Sequence, residues 1–217
     1  MRIVRIDNVE NLFDVVRGDP VEFAVLMAAF YGLRRSEIMG LRWSSIDFDS
    51  NTLTIDHTAV EYHSEGKQII EAKDRAKNKS SCRTMPLVPQ YRDLLLRMRE
   101  RQASCRALCG NCYQESEYIY VNDLGVPYRP NFVTDHFKRV LRNKGLRAIR
   151  FHDLRHTCAS LLLKNHMDIK DTQAWLGHSH YSTTANIYAH LDDTSKRIPA
   201  TKMNQAFHIG HGISSTL

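Results

Sequence analysis

No apolar stretch long enough to cross a bilayer occurs in this 217-residue chain. The longest, Phe23 to Leu33, has eleven residues, against the roughly 20 that a spanning helix needs. The opening, MRIVRIDNVE, has no apolar core region and is not a secretory signal. There is no internal repeat and no low-complexity linker. Cysteine is scarce and odd in number, five in all. That argues against a disulfide framework and for reduced thiols in a cytosolic setting. What is present is ordinary globular composition, 42% hydrophobic and 25% charged, which excludes disordered, collagen-like and disulfide-rich miniprotein classes. The length suits one or two domains, burying roughly 70% of the unfolded surface.

Lys and Arg number 30 against 24 Asp and Glu, a net charge of +6. The excess is concentrated. Residues 71–110 carry ten basic and four acidic side chains, and 137–155 carry seven and one. Two separate basic blocks fit a polyanionic partner, nucleic acid first. A pair of solvated faces would give the same counts.

Helical patterns dominate the chain. Val9–Val16 reads as a short amphipathic helix ending at Arg17-Gly18-Asp19-Pro20, and Val21–Leu33 as a buried one. Ser36–Leu41 adds a turn or two, followed by a loop at Trp43–Asp47. Alternation at Thr52–Asp56, a hairpin signal around Ser64–Lys67 and a strand at Arg83–Val88 predict a small antiparallel sheet over 52–88. Pro89 to about Ala107 is a long basic amphipathic helix and Tyr118–Val121 a short strand. Helices follow near 130–144, 153–165, 168–176, 182–190 and 192–205, then a frayed tail. The fold class is α+β, mostly helical.

Four stretches could carry chemistry. In Tyr31-Gly32-Leu33-Arg34-Arg35-Ser36-Glu37 an arginine follows directly on a buried helix, where its planar fork suits a phosphate. Glu37 could orient Arg34, or both arginines could be surface groups. Lys77-Asn78-Lys79-Ser80-Ser81-Cys82-Arg83 offers a lysine as proton donor or phosphate contact, or a solvated basic turn. On a helix begun by Phe151, Leu154, Cys158, Leu161 and Leu162 form the core face. His152 and Arg155 share another face, suited to proton transfer and anion binding. His152 and His156 also stand at metal-ligand spacing, without the glutamate of HExxH. In the last stretch His178 follows a helix end. Tyr188 lies in the next helical segment, either a nucleophile supported by cations or a core aromatic.

Taken in order, Arg34, Lys77, His152-x-x-Arg155, His178 and Tyr188 resemble the signature of the tyrosine recombinases, the phage-integrase family. The words Gly-Leu-Arg-x-Ser-Glu, Arg-Phe-His-Asp-Leu-Arg-His-Thr, Leu-Gly-His-Ser and Ser-Thr-Thr-x-x-x-Tyr-x-His carry the resemblance, which runs from about residue 9 to 195. It looks closest to integrases of phages and conjugative transposons. It implies a recombinase catalytic domain over 1–195 and a tail over 196–217, without the N-terminal core-binding and arm-binding domains. It further implies site-specific integration or excision through a 3′-phosphotyrosine bond, without cofactor, metal ion or nucleotide. Tyr188 would be the nucleophile, Arg34 and Arg155 the phosphate clamp, and Lys77 the donor to the leaving 5′ oxygen. His152 would handle the tyrosine proton and His178 would hydrogen-bond the phosphate. The expected partners are double-stranded DNA at attachment or core sites and three further copies in a synaptic tetramer, the isolated chain being a monomer. The expected setting is the bacterial cytoplasm, at the nucleoid, with no membrane.

Lys77 is preferred to Lys79 for its spacing before Pro86-Leu87. Tyr181, only three residues after His178, is a decoy. Cys105, Cys109 and Cys112 offer three thiols to a zinc that needs four ligands, with no obvious fourth nearby in sequence unless His136 or another group approaches in space; reduced loop cysteines are the alternative. The rival functions are a DNA-binding homologue without turnover, a type IB topoisomerase, and a metal-dependent nuclease using His152, His156 and His178.

Overall fold

In a computed structural model of the chain, residues 6–64, 67–74, 82–179, 181, 182, 184 and 185 are described. Helix α2 (Glu22–Phe30) is almost wholly apolar, so it can only be satisfied by burial on most sides; Phe23, Ala24, Val25, Met27, Ala28 and Ala29 are all buried. It packs against α1 (Ile6–Val16), α3 (Arg35–Met39) and α6 (Phe151–Lys164). The break before it is held by Asp19, whose carboxylate accepts the Val21 N–H at 2.8 Å. Beyond α2 the fully buried Tyr31 receives the Val88 N–H on its hydroxyl (3.3 Å) and donates to the Pro86 carbonyl (3.2 Å).

The strands expected over 52–88 are antiparallel, but they divide into two sheets. β1 (Ile46–Asp47), β2 (Thr52–Ile55) and β5 (Arg83–Pro86) form one, in the order β1-β2-β5, with Leu53 opposite Met85. Alternation turns Leu53 and Ile55 into the core. Among the described residues β3 (His57–Ser64) pairs with β4 (Lys67–Asp74) alone, Tyr62 opposite Ile69. Val60 and Tyr62 on β3 and Ile69 and Ile70 on β4 are exposed. A ribbon that faces water on this scale is no continuation of the core-facing sheet. The strand expected at Tyr118–Val121 is reduced to isolated bridges, Arg42 with Tyr118 and Val121 with Pro127. The segment divides its main-chain bonds between Leu41, at one end, and Val126 and Tyr128 beyond a turn. Neither neighbour is long enough for a ladder.

The later helices follow their sequence signals closely. α4 (Pro89–Cys109) and α5 (Pro130–Asn143) each start with proline, whose missing N–H costs nothing there. α5 buries Val133, Phe137, Val140 and Leu141, a single stripe. α6 lies against α2, α5 and α7 (Ile169–Leu176), so its buried surface is wider than one stripe. Leu154, Cys158 and Leu163 are buried, whereas Leu161 and Leu162, expected in the core face, are only half-buried. α7 is capped by Asp168, which accepts the Asp171 N–H, and stops at Gly177 in the left-handed region (φ 64°). Of the helix expected at 182–190, residues 182, 184 and 185 are helical. Its remainder, the expected helix at 192–205 and the tail lie outside the described residues.

Gly40 closes α3 against β3. A Cβ there would sit 2.6 Å from Thr58 Cα and 2.7 Å from the His57 carbonyl oxygen, both main-chain atoms that cannot swing away. Gly40→Ala is expected to lower unfolding free energy by about 1–3 kcal/mol, measured by urea denaturation. An unchanged midpoint would show that this contact is not close.

Candidate active site

The carboxylate of Glu37, on α3, is fully buried and lies among three guanidinium groups. Arg34 donates to it from its main-chain N–H and from Nη1, both at 2.8 Å. Arg83, at the start of β5, approaches with Nη1 at 3.4 Å and Nη2 at 3.2 Å. Arg155, on α6, brings Nη1 to 3.9 Å. Burial alone would drive the Glu37 proton on; the charges and hydrogen bonds of Arg83 and Arg34 outweigh it and bring the pKa down to about 2.

The same three arginines grip the end of α7. Arg83 Nε donates to the Trp175 carbonyl (2.9 Å), Arg155 Nη2 to Leu176 (2.7 Å) and Arg34 Nη2 to Gly177 (3.0 Å). Unpaired carbonyls at a helix C-terminus attract cations, and three successive ones here take one arginine each. Arg155 Nη1 also donates to the Gly32 carbonyl. Burial, with Arg34 next, pushes the Arg155 pKa down to about 9, leaving it cationic at neutral pH. Exposure separates the three. The Arg34 side chain is 33% accessible, Arg83 9% and Arg155 3%, so Arg34 faces solvent with the other two behind it.

The left-handed turn at Gly177 delivers His178 beside this group. Its Nδ1 lies 2.9 Å from Oγ1 of the buried Thr184. Partial burial, then Arg155 and Arg34, bring its pKa down to about 3. His152 stands at the solvent side of α6, edge-on to His156 with ring centroids 4.8 Å apart. Loss of hydration on its inner side, then His156 and Arg155, lower its pKa to about 4. Both imidazoles are therefore neutral at pH 7.

Among the residues singled out from sequence, Arg34, Arg155 and His178 thus come together, with His152 one turn before Arg155. Lys77, Lys79 and Tyr188 lie outside the described residues. Tyr181 is exposed. Glu37 is more central than its i,i+3 spacing suggests, and Arg83 was not singled out at all. Its only signal is a cationic residue opening a strand, which many solvated strands share. Arg35 is tied by Nη1 to Asn131 and Thr134. Cys105 and Cys109 direct their thiols to the side chain and carbonyl of Asp123, while His136 pairs with Asp19 at 2.9 Å. Among the described residues no group of three or more His, Cys, Asp or Glu gathers as a metal site, and no helix is long and apolar enough to cross a membrane.

The family model described as the phage integrase family matches residues 3–195. A XerC-like tyrosine recombinase of Caldanaerobacter subterraneus is 28% identical over 210 residues, covering 93% of this chain and 53% of the relative. The ICEBs1 integrase of Bacillus subtilis is 26% identical, covering 94% and 54%. The chain thus spans about half the length of these relatives. Among solved structures, the Tn1549 transposon integrase in complex with transposon right end DNA superposes with a TM-score of 0.75 at 21% identity, covering 94% of this chain and 66% of that one. XerA recombinase gives 0.67 at 20%, covering 98% and 66%. At these identities the likeness concerns the fold.

Removing the Glu37 charge would leave three buried or half-buried cations facing one another. Glu37→Gln is expected to cost about 3–5 kcal/mol of stability, read by urea denaturation; a loss below about 1 kcal/mol would show that the carboxylate does not hold the cluster. The histidines give a pH signature. Their folded pKa values lie below the ordinary 6.5, so the unfolded chain binds protons first as pH falls. Stability should decline from about pH 6.5 toward pH 4, and His178→Gln should flatten that part of a melting-temperature profile. A profile equally steep in the variant would count against a depressed His178.

Proposed function

The chain belongs to the phage integrase family, and from that premise we propose that it cuts and rejoins DNA strands as the catalytic part of a site-specific recombinase. Residues 1–195 are the catalytic unit and 196–217 its tail. The Tyr188 hydroxyl attacks a backbone phosphorus, forming a 3′-phosphotyrosine bond and releasing a 5′-hydroxyl. The 5′-hydroxyl of a partner strand later reverses the step, completing integration or excision. The observation that carries this reading is the convergence of Arg34 and Arg155 from distant stretches on one buried carboxylate and one helix end, beside two neutral histidines.

Phosphoryl transfer is governed by positioning and charge stabilisation, and cations locked in place before the substrate arrives need no reorganisation. Arg34, the most accessible of the three, meets the non-bridging oxygens. Arg155 sits behind it with two terminal N–H bonds already used; its remaining N–H bonds complete the clamp. His152, neutral at pH 7, accepts the tyrosine proton, and His178 donates to the phosphate. Lys77, preferred to Lys79, protonates the leaving 5′ oxygen. One phosphate ester is exchanged for another of similar energy, so no nucleotide is consumed. With the negative charge met by side-chain cations, the step proceeds without a metal ion. The transposon right end DNA bound by the Tn1549 integrase supports DNA as the substrate, and the two basic blocks fit its backbone. In this reading four copies assemble around two attachment sites, in the bacterial cytoplasm at the nucleoid.

The test is covalent trapping on suicide duplexes, nicked next to the cut position, made from candidate attachment DNA. An SDS-stable adduct should form, survive EDTA and vanish in Tyr188→Phe. Arg34→Gln should slow it by about 10²–10³-fold. Lys77→Ala, but not Lys79→Ala, should be slowed and then rescued when the leaving 5′ oxygen is replaced by sulfur, which departs unprotonated. An adduct that persists in Tyr188→Phe, or that EDTA abolishes, would overturn the reading.

A further inference from the structure

We propose that the cleft between α3, α5 and the start of α6 binds a DNA backbone phosphate next to the one that is cut, an inference that rests on the function proposed above. The cleft, of about 370 Å³, is lined by Arg35, Thr134, Lys138, Arg150, Phe151 and His152, with no acidic side chain in its wall. Its three permanent cations come from three elements. Arg35 is fixed by Nη1 on Asn131 Oδ1 (3.1 Å) and Thr134 Oγ1 (2.8 Å), so its guanidinium is held rather than mobile in solvent. Arg150 is anchored through Nε and Nη2 on the buried Asp153 carboxylate, with 70% of its side chain accessible. Among the described residues Lys138 reaches the exposed Asp135, at 3.9 Å, with 62% of its side chain accessible. Asp135 and Asp153 each stand against one cation and leave a surplus of positive charge facing the cleft.

Position supplies the second argument. Arg35 directly follows Arg34, and His152 belongs both to this cleft and to the candidate active site. Phosphates recur along each DNA strand every ~3.4 Å of helix axis. A strand seated on Arg34 therefore carries a neighbouring phosphate toward Arg35, Lys138 and Arg150. A cleft ringed by long cationic side chains from three elements suits a running phosphate backbone. Two arginines anchored on carboxylate or amide groups and one freely accessible lysine form a cradle that sets strand position rather than performing chemistry. Lys138 and Arg150 are positioning residues in this sense.

The experiment is a salt titration of binding to a 30-base-pair duplex of random sequence. Each lost phosphate contact lowers the slope of log affinity against log salt by about 0.9. Lys138→Gln should show that reduction and Lys138→Arg should restore it. Lys164→Gln, at the far end of α6, should leave the slope unchanged. Arg150→Lys, which keeps the charge against Asp153, should fold and retain the slope. An unchanged slope in Lys138→Gln overturns the proposal, while covalent trapping would still stand or fall separately. Inorganic phosphate provides the other arm. If it raises the wild-type melting temperature above chloride at matched ionic strength, and Lys138→Gln abolishes that rise, the cleft is a free-anion site and the backbone reading fails. Absence of any DNA binding would remove both this proposal and the function it rests on.

Discussion

One buried carboxylate makes the rest of the site possible. Three guanidinium groups this close would repel one another strongly in a poorly hydrated interior, and each loses solvation on entering it. Glu37 sets a negative charge at their centre and the end of α7 sets a row of carbonyl dipoles around them. The result is a cluster of cations held in the folded chain by the protein's own groups, with only Arg34 presented outward. Electrostatic catalysis depends on charge fixed in advance of the reaction, and this geometry has that character.

The fold is arranged around this requirement. α2 provides the apolar stem. Its continuation through Tyr31 and Gly32 places α3 so that Arg34 and Glu37 arrive together. Tyr31 also stacks on Trp175 with ring centroids 6.1 Å apart, tying the end of α2 to the end of α7. β5 delivers Arg83 from the sheet, and α6, buried on a wide face, delivers Arg155 from below. Sheet, stem and late helices thus each contribute one cation, which is why a single misplaced element would disperse the group.

Much of this was legible in the sequence because it has period or punctuation. The apolar run of α2, the single stripe of α5, the prolines opening α4 and α5 and the glycine ending α7 all leave local signatures. Arg34, His152, Arg155 and His178 were legible through their spaced motifs. Arg83 was not, since a cation opening a strand looks the same whether it meets solvent or a carboxylate 46 positions earlier. The i,i+3 spacing presents Glu37 as a local partner of Arg34 and reveals nothing of long-range contacts. The division into two sheets escaped for a similar reason: alternation identifies strands and leaves their partners open. Helical periodicity puts Leu161 and Leu162 in the core face because it assumes one neighbour, whereas α6 has three.

The arginines hold main-chain oxygens at residues 175–177, and this has a consequence for how such a protein can vary. Substitutions along α7 preserve those oxygens so long as the helix keeps its path. Position 177 is closed to side chains, since a Cβ there would sit 2.6 Å from Arg83 Nη1 on a left-handed backbone. Adding or deleting one residue is different, because each residue turns the helix by about 100° and would aim the carbonyls away from their guanidinium partners. Tolerance to exchange and intolerance to insertion should therefore coexist within a single eight-residue helix, and length, rather than composition, is the quantity that selection must guard there.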